Sequence, residues 1–441
     1  MTEPHVATST LTSGTDEEKR TGRPIVVATS GEDGTAALRA AELLASHTRS
    51  EVHVLSVIEP DPATPYDPQF GFVSPEYQAI RLDIRNSNVR RQAQSATAKG
   101  AEWPIDIHFG SAPMVIADEA RRQDASLVIM DSGRHALIAR LLAGETALRT
   151  IRRARTPVLA IVGDFEKLPD VAVAAIDFSP ASIAAARAAL DLLSDDATLY
   201  LVHVWSRSSS DHPSERVRDD AYERALPERF ARAQAAMEVP PGITVHRITL
   251  LGDPVEEILS FAASQGAELI AAGRRGYGFF ERLLVGSTTT ALLRGAKCSV
   301  LVTPEPTAVE ADALARAVTG VFESHAPDQW AAQLDGFSRR NRGRLVALEV
   351  DDPHTGTQLQ AAGYALVGAT YDHNDRSVQI MLTHPGDESM HLTHTMRSVT
   401  AVSVRSDQSG VDQALRIDHR DGWIVIRFAP ADRPQRKPTA S

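Results

Sequence analysis

The 441-residue chain has a single cysteine, few aromatic residues and no long apolar run. One cysteine, Cys298, excludes an internal disulfide and a cysteine-rich metal site. Its place at the start of a predicted strand favours burial over reactivity. No apolar segment approaches the length of a membrane span, and the N-terminus lacks the apolar core of a signal peptide. These features predict a soluble, cytoplasmic protein.

The chain also lacks an excess of basic residues. It carries 46 Lys and Arg against 57 Asp and Glu, for a formal net charge of −11. A general nucleic-acid or membrane-surface binder would normally show a basic patch, so the charge balance argues against both. The aromatic content of 5% and the abundant alanine suit helices packed on sheets of small residues. The length predicts two to four domains.

Short apolar runs alternate with helical patterns after a polar, aperiodic segment at 1–22, which we predict to be a disordered tail. This alternation predicts a parallel sheet covered by helices on both faces. The predicted strands and helices are 25–28, 35–46 (helix), 52–58, 76–99 (helix), 105–109, 113–123 (helix), 127–130, 137–153 (helix) and 158–162.

Residues 171–304 repeat this pattern. Arg-Leu-Leu-Ala-Gly at 140–144 aligns with Arg-Leu-Leu-Val-Gly at 282–286, an offset of 142 residues. The same offset carries Gly110 onto Gly252 and 127–129 onto 269–271. A constant offset of this kind indicates two copies of one α/β unit in tandem.

The second copy contains a candidate anion site. The apolar run 269–272 is followed by Gly273 and Gly276, which allow the backbone to turn sharply and approach a ligand. Successive N–H groups in such a loop can point at phosphate oxygens. Gly286 is followed by Ser287, a good N-cap for a helix predicted at 288–294, whose unpaired N–H groups attract negative charge. Because no Gly-Lys-Ser/Thr occurs here, the loop is not a Walker A loop.

The spacing Gly-x2-Gly-x9-Gly-Ser from Gly273 to Ser287 resembles the nucleotide-binding signature of the universal stress protein family. The resemblance covers residues 24–304 and implies two tandem, open, parallel sheets of Rossmann-like type. It also implies that the second copy binds ATP, with Mg²⁺ as the expected companion ion. The nucleotide-binding residues that the resemblance implies are Asp177, Phe178, Ser179, Val204, Ala272, Gly273, Arg275, Gly276, Gly286, Ser287 and Thr288.

The resemblance gives some of these residues a role. Asp177 ends the first strand of the second copy, where the family places an acidic contact to the adenine and ribose end of the nucleotide. A carboxylate suits that place because it accepts hydrogen bonds from amino and hydroxyl groups. Val204 lies in the region of the family's backbone contact to the adenine edge. Single-domain members pair through their last strands, which implies that 158–162 and 299–303 lie together as an internal pseudo-dimer; a homodimer is also possible.

The first copy departs from the signature. Only Gly144 is retained, whereas Thr29, Asp131, Arg134 and Glu145 stand in the places of Asp177, Gly273, Gly276 and Ser287. The two carboxylates would each repel a phosphate by about a kcal/mol or more. We therefore predict that the first copy does not bind ATP and is a structural or regulatory partner.

Simpler interpretations compete with these roles. Gly273 and Gly276 could serve only as turn residues, and Ser287 only as a helix cap. Asp177 could be a solvated loop acid or the N-cap of the next helix. Arg275 could face phosphate or water. His203, at the end of the second strand of this copy, fits a hydrogen-bonded strand-end histidine better than a catalytic base.

Strands without alternating helices dominate after Pro304. They predict a small C-terminal α+β domain with an antiparallel sheet or barrel, a hairpin turning at Arg420-Asp-Gly422 and a tail at 430–441. His391 and His394 are three residues apart in a predicted strand and so face opposite sides, which disfavours a metal site. The segment resembles a small bacterial domain family without an assigned function. The predicted elements are 325–340 (helix), 344–349, 365–371, 378–382, 391–395, 399–405, 414–419 and 423–428.

The predicted domains are 23–164, 170–305 and 325–429, with a linker at 306–324. The main functional hypothesis is a tandem universal stress protein that binds ATP in its second domain and acts as a stress-response regulatory module on an unidentified protein partner. The sequence shows no positioned acid, base or nucleophile, which favours binding over catalysis. The alternatives are a nucleotide-free protein-interaction scaffold, whose sheet crevice would be filled by side chains such as Phe178 or Phe279, and a slow ATPase.

The aligned loops of the two copies provide a paired test. We expect Gly276→Phe to abolish the thermal stabilisation by millimolar ATP, because a bulky side chain would block the close approach of backbone to phosphate. Arg134→Phe, the aligned change in the first copy, is expected to leave it intact. The reverse outcome in a melting experiment would place the nucleotide site in the first copy.

Overall fold

The computed structural model describes residues 22–32, 34–59, 75–131, 143–205, 213–274, 287–307, 310–311, 313–314, 323–352, 356–385, 387–406, 411–420 and 422–428. Apart from residue 22, both predicted tails lie outside these ranges. The chain forms two compact units. The first consists of Met1–Asp170, Asp191–Ser194 and Leu293–Pro304, and the second of Val171–Leu190, Asp195–Leu292 and Glu305–Ser441.

The first unit contains five parallel strands in the order β3-β2-β1-β4-β5. Its central strands are buried along nearly their whole length, as expected for a sheet covered on both faces. The first helix packs its alanines, Leu38 and Leu44 against this sheet. The elements are β1 Ile25–Ala28, α1 Ala36–Thr48, β2 Val52–Ile58, α2 Pro75–Ala96, β3 Ile105–Phe109, α3 Ala112–Arg122, β4 Leu127–Asp131, α4 Ala143–Arg153 and β5 Val158–Ile161.

The last strand of the second repeat, β10 (Ser299–Thr303), also belongs to the first unit. It pairs antiparallel with β5, with Leu301 opposite Leu159. The hydroxyl of Ser299 accepts a hydrogen bond of 3.3 Å from the N–H of Val162. This confirms the predicted pairing of the two last strands.

The other strands of the second repeat lie in the second unit, where four parallel strands have the order β9-β6-β7-β8. The chain moves from β6 to β7 on one side and reaches β9 on the other. The carboxyl ends of β6 and β9 therefore form a topological switch point, where open α/β sheets bind ligands. The elements are β6 Val171–Ala175, α5 Pro180–Leu190, β7 Thr198–Trp205, α6 Pro213–Met237, β8 Thr244–Leu251, α7 Pro254–Ser264, β9 Leu269–Gly273 and α8 Ser287–Gly295.

The C-terminal region forms an antiparallel sheet in the order β11-β16-β17-β18-β12-β13-β14-β15. Helix α9 (Trp330–Asn341) buries Trp330, Leu334 and Phe337, whose spacing forms one apolar stripe against this sheet. The strands are β11 Glu323–Ser324, β12 Leu345–Asp352, β13 Gly356–Asp372, β14 Ser377–His384, β15 Asp387–Met396, β16 Val399–Ser406, β17 Asp412–His419 and β18 Gly422–Phe428.

The predicted fold class, two parallel α/β repeats followed by a small antiparallel domain, is confirmed. The hairpin also forms, with His419 opposite Gly422. Strand β13 begins at Gly356, although the prediction began at 365, because its first half is polar and glycine-containing and gains its strand structure by pairing with β12 across two bulges. Helix α8 includes Ser287 as its first residue, and 137–142, the predicted start of α4, lies outside the described residues. None of the described helices is long and apolar enough to cross a membrane.

A buried carboxylate joins α6 to the C-terminal sheet within the second unit. Glu349 of β12 accepts a hydrogen bond of 2.8 Å from Arg229 Nη2 on one oxygen and one of 3.1 Å from Arg427 Nε on the other. All three residues are less than one-seventh exposed at the side chain. Burial alone would raise the pKa of Glu349, but Arg229 and Arg427 outweigh it and lower this pKa to about 2.

We expect Glu349→Gln to destabilise the protein by roughly 3–5 kcal/mol at neutral pH, because it leaves two buried guanidinium groups without their counter-charge. The folded-state pKa is depressed, so this contribution is present above the reference value of 4.5 and is lost as the pH falls toward about 2. Urea unfolding at several pH values measures both effects.

Asp335→Asn, at an exposed position on α9, is the control that removes the same charge. It is expected to change the free energy of unfolding by less than about 0.5 kcal/mol. A Glu349→Gln variant as stable as the parent at neutral pH would contradict the role of the carboxylate.

Candidate functional site

The chain leaves β6 through a short turn that Asp177 organises. Asp177 Oδ1 accepts a hydrogen bond of 3.0 Å from the N–H of Ser179, which closes an Asx turn. Ser179 Oγ accepts one of 3.1 Å from the N–H of Ser182 and so caps α5. The suggestion that Asp177 itself is the N-cap is therefore wrong. Its half-buried carboxylate lies at the carboxyl end of β6, where the sequence placed it.

Phe178 has an unusual backbone conformation next to this turn. Its φ is +65°, a left-handed conformation that bulky residues seldom adopt and that costs about 1–3 kcal/mol. Its buried ring lies with its centroid 4.7 Å from that of His203 and 5.1 Å from that of Phe230, and Arg229 Cζ is 5.7 Å from the ring centroid. These contacts on β7 and α6 offset the strain.

His203 is a hydrogen-bonded strand-end histidine, as the sequence indicated. It is buried, and its Nδ1 lies 2.7 Å from the carbonyl oxygen of Ile176. Burial lowers its pKa, and the nearby Arg229 lowers it further, against the opposing effects of the Ile176 carbonyl and Asp177. The imidazole is therefore neutral at neutral pH and links the ends of β6 and β7.

Val204 presents backbone groups beyond the end of β6. The register between β6 and β7 ends at Ala175 and Val202, and Val202 O accepts a final hydrogen bond of 2.8 Å from the N–H of Ile176. Successive residues of a parallel strand present their amides to opposite neighbours. The N–H and C=O of Val204 therefore point to the same side of β7 as β6, but beyond the last residue of β6 that pairs with β7. A polar ligand edge placed there would meet one donor and one acceptor.

Gly273 lies where two helices begin. A Cβ on Gly273 would come within 3.1 Å of the backbone carbon and oxygen of Ala181 in the first turn of α5. The carbonyl of Gly273 also accepts a hydrogen bond of 2.8 Å from Thr289 Oγ1 in the first turn of α8. The N-termini of α5 and α8 therefore meet the end of β9, and both favour negative charge. This packing role cannot be recognised from the sequence, because nothing local to Gly273 shows that α5 lies against it.

The structure describes part of the remaining predicted site. Ala272 is buried in β9, and Ser287 and Thr288 open α8. Arg275, Gly276 and Gly286, as well as Phe279, lie outside the described residues. The described site thus consists of the turn after β6, the end of β7, the end of β9 and the start of α8.

The first repeat has the same turn with different residues. In the first repeat Ala28 is paired with Leu55, and the N–H of Thr29 donates a hydrogen bond to the carbonyl of Leu55. In the second repeat Ala175 is paired with Val202 in the same way, and the N–H of Ile176 donates to the carbonyl of Val202. Ser30 Oγ accepts a hydrogen bond of 3.3 Å from the N–H of Glu32, the same turn that Asp177 closes with Ser179.

The counterpart of Asp177 is therefore Ser30, and the prediction of Thr29 was wrong by one residue. The sequence offset differs between helix and strand, so the backbone register was needed to find it. The next residue, Gly31, has φ +74° where Phe178 has +65°. The first repeat still lacks an acidic group at this position.

Side chains fill the corresponding place in the first repeat. Gln92 of α2 is buried, accepts a hydrogen bond of 2.7 Å from Thr29 Oγ1, and donates one of 2.6 Å to the carbonyl of Gly34. The carboxylate of Asp131, at the end of β4, lies 3.1 Å from where a Cβ on Gly34 would be. The first repeat thus has the Asp131 carboxylate where the second has Gly273, and the Gln92 amide is hydrogen-bonded to the neighbouring Gly34.

The histidines of the C-terminal sheet do not form a chelating set in the described residues. His391 lies opposite Thr383, and His394 lies opposite Ile380, which puts their side chains on opposite faces of β15. Burial lowers the pKa of His394, and the neighbouring His419 lowers it further. Within the described ranges no three His, Cys, Asp or Glu side chains are placed to hold a metal ion.

Two parallel α/β repeats with a crevice at the carboxyl ends of their strands define a protein of the Rossmann-like α/β class. The profile of the universal stress protein family matches residues 22–161 and 170–304, and that of a family of unknown function (DUF5335) matches residues 323–436. The chain belongs to the universal stress protein family.

Individual relatives resemble the two repeats. A universal stress protein of Mycobacterium bovis is 32% identical over 262 residues, covering 56% of this chain and 85% of the relative. A solved universal stress protein from Archaeoglobus fulgidus is 19% identical with a TM-score of 0.45, covering 64% of this chain and 97% of that one. A solved universal stress protein in complex with cAMP is 22% identical with a TM-score of 0.25, covering 32% of this chain and 100% of that one.

We expect Gly273→Ala to destabilise the second repeat by about 1–3 kcal/mol, because the added methyl group presses on the backbone of α5. Gly368→Ala is the matched control, since a Cβ there makes only ordinary contacts, the nearest being 3.5 Å from Ser338 Oγ. Chemical unfolding measures both variants. Equal stability of the two variants would show that α5 does not require the bare backbone at Gly273.

Proposed function

We propose that the second repeat binds ATP at the carboxyl ends of β6 and β9 and uses occupancy of that site as a regulatory signal. The observation that carries the proposal is the convergence of two helix N-termini and the Asp177 turn around Gly273. Helix N-termini attract phosphate, and a carboxylate accepts hydrogen bonds from sugar hydroxyls. The first repeat, which has the carboxylate of Asp131 in the place of Gly273, provides the contrast.

Each residue of the proposed site has a chemical task. Asp177 would accept hydrogen bonds from the ribose, and the backbone N–H and C=O of Val204 would pair with the acceptor and donor of the adenine edge. Phosphate would meet backbone N–H groups, the Ser287 and Thr288 hydroxyls and the Arg275 guanidinium. The residues proposed to contact the phosphates are Gly273, Arg275, Gly276, Gly286, Ser287 and Thr288.

ATP would bring Mg²⁺ with it. This ion keeps several waters and is held mainly by phosphate oxygens and one or two carboxylates, so it needs no cluster of protein ligands. When bound, the ion would neutralise part of the phosphate charge. The bare backbone at Gly273 and the absence of a carboxylate like Asp131 at that position suit such a ligand.

A chain of contacts leads from this site to the C-terminal sheet. Phe178 directly follows Asp177, and Arg229 lies over the Phe178 ring. Nη2 of this guanidinium donates a hydrogen bond to buried Glu349 of β12. A ligand that shifts the Asp177 turn would therefore displace Phe178 and alter the contact that holds α6 to the C-terminal sheet. This path supports a regulatory module whose output is the C-terminal domain and its protein partner.

A nucleotide-free interaction scaffold is the second candidate, and one observation favours it. Phe178 is buried at the end of the sheet, as that hypothesis expected. The ring of Phe178 contacts β7 and α6. The side of β6 that faces β9 is contacted instead by α5, whose Ala181 backbone lies next to Gly273. The burial of Phe178 is therefore compatible with a ligand between β6 and β9.

Calorimetric titration of the full chain with Mg²⁺–ATP tests the proposal. We expect one site per chain, and we expect Asp177→Asn to weaken ATP binding by about tenfold, equivalent to 1.4 kcal/mol, because the amide keeps the turn but loses the charged acceptor. Ser30→Ala changes the corresponding turn of the first repeat and is expected to leave the affinity unchanged.

Other outcomes select among the alternatives. Absence of ATP binding at millimolar concentration, with no nucleotide retained through purification, would contradict the proposal and favour the scaffold. Competition by cAMP would widen the ligand class to adenine nucleotides. Steady release of phosphate that is lost in Asp177→Asn would indicate a slow ATPase.

A further inference from the structure

A small groove opens between α3 and α4 of the first repeat. Helices of a parallel α/β unit run opposite to its strands, so the carboxyl ends of α3 and α4 lie beside the amino ends of the strands, away from the turn that Ser30 closes. The groove has a volume of about 240 Å³. Pockets that enclose a small-molecule ligand are larger, about 300–1,000 Å³, so this groove has room for side chains of a partner rather than for a whole ligand. The lining residues are Met114, Ala117, Asp118, Arg121, Arg153 and Arg155.

The groove is basic, although the whole chain has a formal net charge of −11. Arg121 forms an ion pair of 2.9 Å with Asp118, and both side chains are about two-thirds exposed. Arg153 and Arg155 are also exposed, and neither forms an ion pair within the described part of the chain. The described lining thus carries three guanidinium groups and one carboxylate, which leaves an excess of positive charge open to solvent.

The second repeat shows that the fold does not require these arginines. Its helices α7 and α8 end at the residues that align with the ends of α3 and α4, at the offset of 142 residues. Six exposed positions near the ends of α3 and α4 carry arginine, namely Arg121, Arg122, Arg149, Arg152, Arg153 and Arg155. The aligned residues of the second repeat are Ala263, Ser264, Ala291, Arg294, Gly295 and Lys297. Basic residues favour helix carboxyl ends, but two of them are enough for the same pair of helices in the second repeat.

The groove also has an apolar end. Met114 is 47% exposed and lies seven residues before Arg121, so both extend from one side of α3 together with Ala117. Methionine adapts its shape to varied apolar partners. Seven residues of helix span about 10 Å, a distance that an extended peptide covers in about three residues. The groove therefore fits an apolar side chain and an acidic side chain that are three residues apart.

We propose that this groove binds an extended acidic peptide segment of a protein partner. A carboxylate of the peptide meets Arg121, Arg153 and Arg155, whose planar guanidinium groups match its two oxygens, and an apolar side chain packs on Met114. Arginine and methionine are both enriched at protein interfaces, and complementary charge favours the encounter.

A nucleic acid fits this surface less well than an acidic peptide. The net charge of −11 repels a long polyanion, and none of the described lining residues is aromatic, so bases would have no ring to stack on. The proposal does not rest on ATP binding, because the groove uses none of the residues proposed for the nucleotide.

Fluorescence polarisation of the full chain with a labelled peptide that repeats the unit Leu-Ser-Ser-Glu tests the groove. We expect saturable binding that weakens as the salt concentration rises. Arg155→Glu is expected to weaken it by about tenfold or more, because it sets a carboxylate against the carboxylates of the peptide. Lys297→Glu, the aligned change in the second repeat, is expected to leave the affinity unchanged. Both positions are exposed, so both variants are expected to melt as the parent does.

Two further peptides separate the contributions of charge and apolar contact. Replacing the glutamates by glutamine is expected to abolish binding, and replacing the leucines by alanine is expected to weaken it. Met114→Ser is expected to bind the leucine and alanine peptides alike, because it removes the apolar contact and no charge.

Four outcomes overturn the proposal. The acidic peptide does not bind, or the glutamine peptide binds as tightly. Arg155→Glu and Lys297→Glu bind the acidic peptide equally, or poly(U) RNA binds more tightly than the peptide and Arg155→Glu abolishes that binding, which would make the surface a nucleic-acid site. Asp177→Asn is expected to bind the peptide as the parent does, so failure of the ATP proposal and failure of this one are distinguishable.

Discussion

The second unit depends on one buried carboxylate. Glu349 lies within a run of apolar residues in β12, yet its charge is retained because Arg229 and Arg427 each bind one oxygen. Burying a charged group is costly, and only paired, hydrogen-bonded geometry offsets this. This contact therefore restricts the position of α6 on the sheet more strongly than apolar packing alone would. Because Arg229 also lies over Phe178, the position of α6 in turn limits how the chain can leave β6.

The two repeats show what the fold needs and what a ligand would need. Both close the same turn after the first strand, with Ser30 in one and Asp177 in the other. A serine hydroxyl is sufficient for the turn, so the fold does not account for the acid in the second repeat. The next residue also differs. Gly31 adopts its left-handed conformation without strain, whereas Phe178 adopts it at a cost and gains ring contacts on β7 and α6.

Local patterns predicted the parts of the structure that local chemistry determines. Apolar runs separated by helical periods predicted the parallel repeats, and Asp421-Gly422 between alternating strands predicted the hairpin. The pairing of β5 with β10 followed from the family resemblance. Properties that depend on distant residues were not predictable. Nothing near Gly273 indicates that α5 touches it, and nothing near Glu349 indicates partners on α6 and β18. The one-residue error at Thr29 arose because helices and strands of the two repeats have different offsets.

One glycine of the signature has a packing role in addition to the role predicted for it. In the sequence, Gly273 was predicted to free the backbone for phosphate. In the structure its bare backbone is already required by α5, since a Cβ would press on Ala181. The two requirements are compatible, because a helix that approaches the end of β9 this closely also brings its N-terminal N–H groups to that place. In the first repeat the side chain of Asp131 fits at this position because it lies beside Gly34, which has no side chain. Close helix packing and anion binding thus favour glycine at this position for one shared geometric reason.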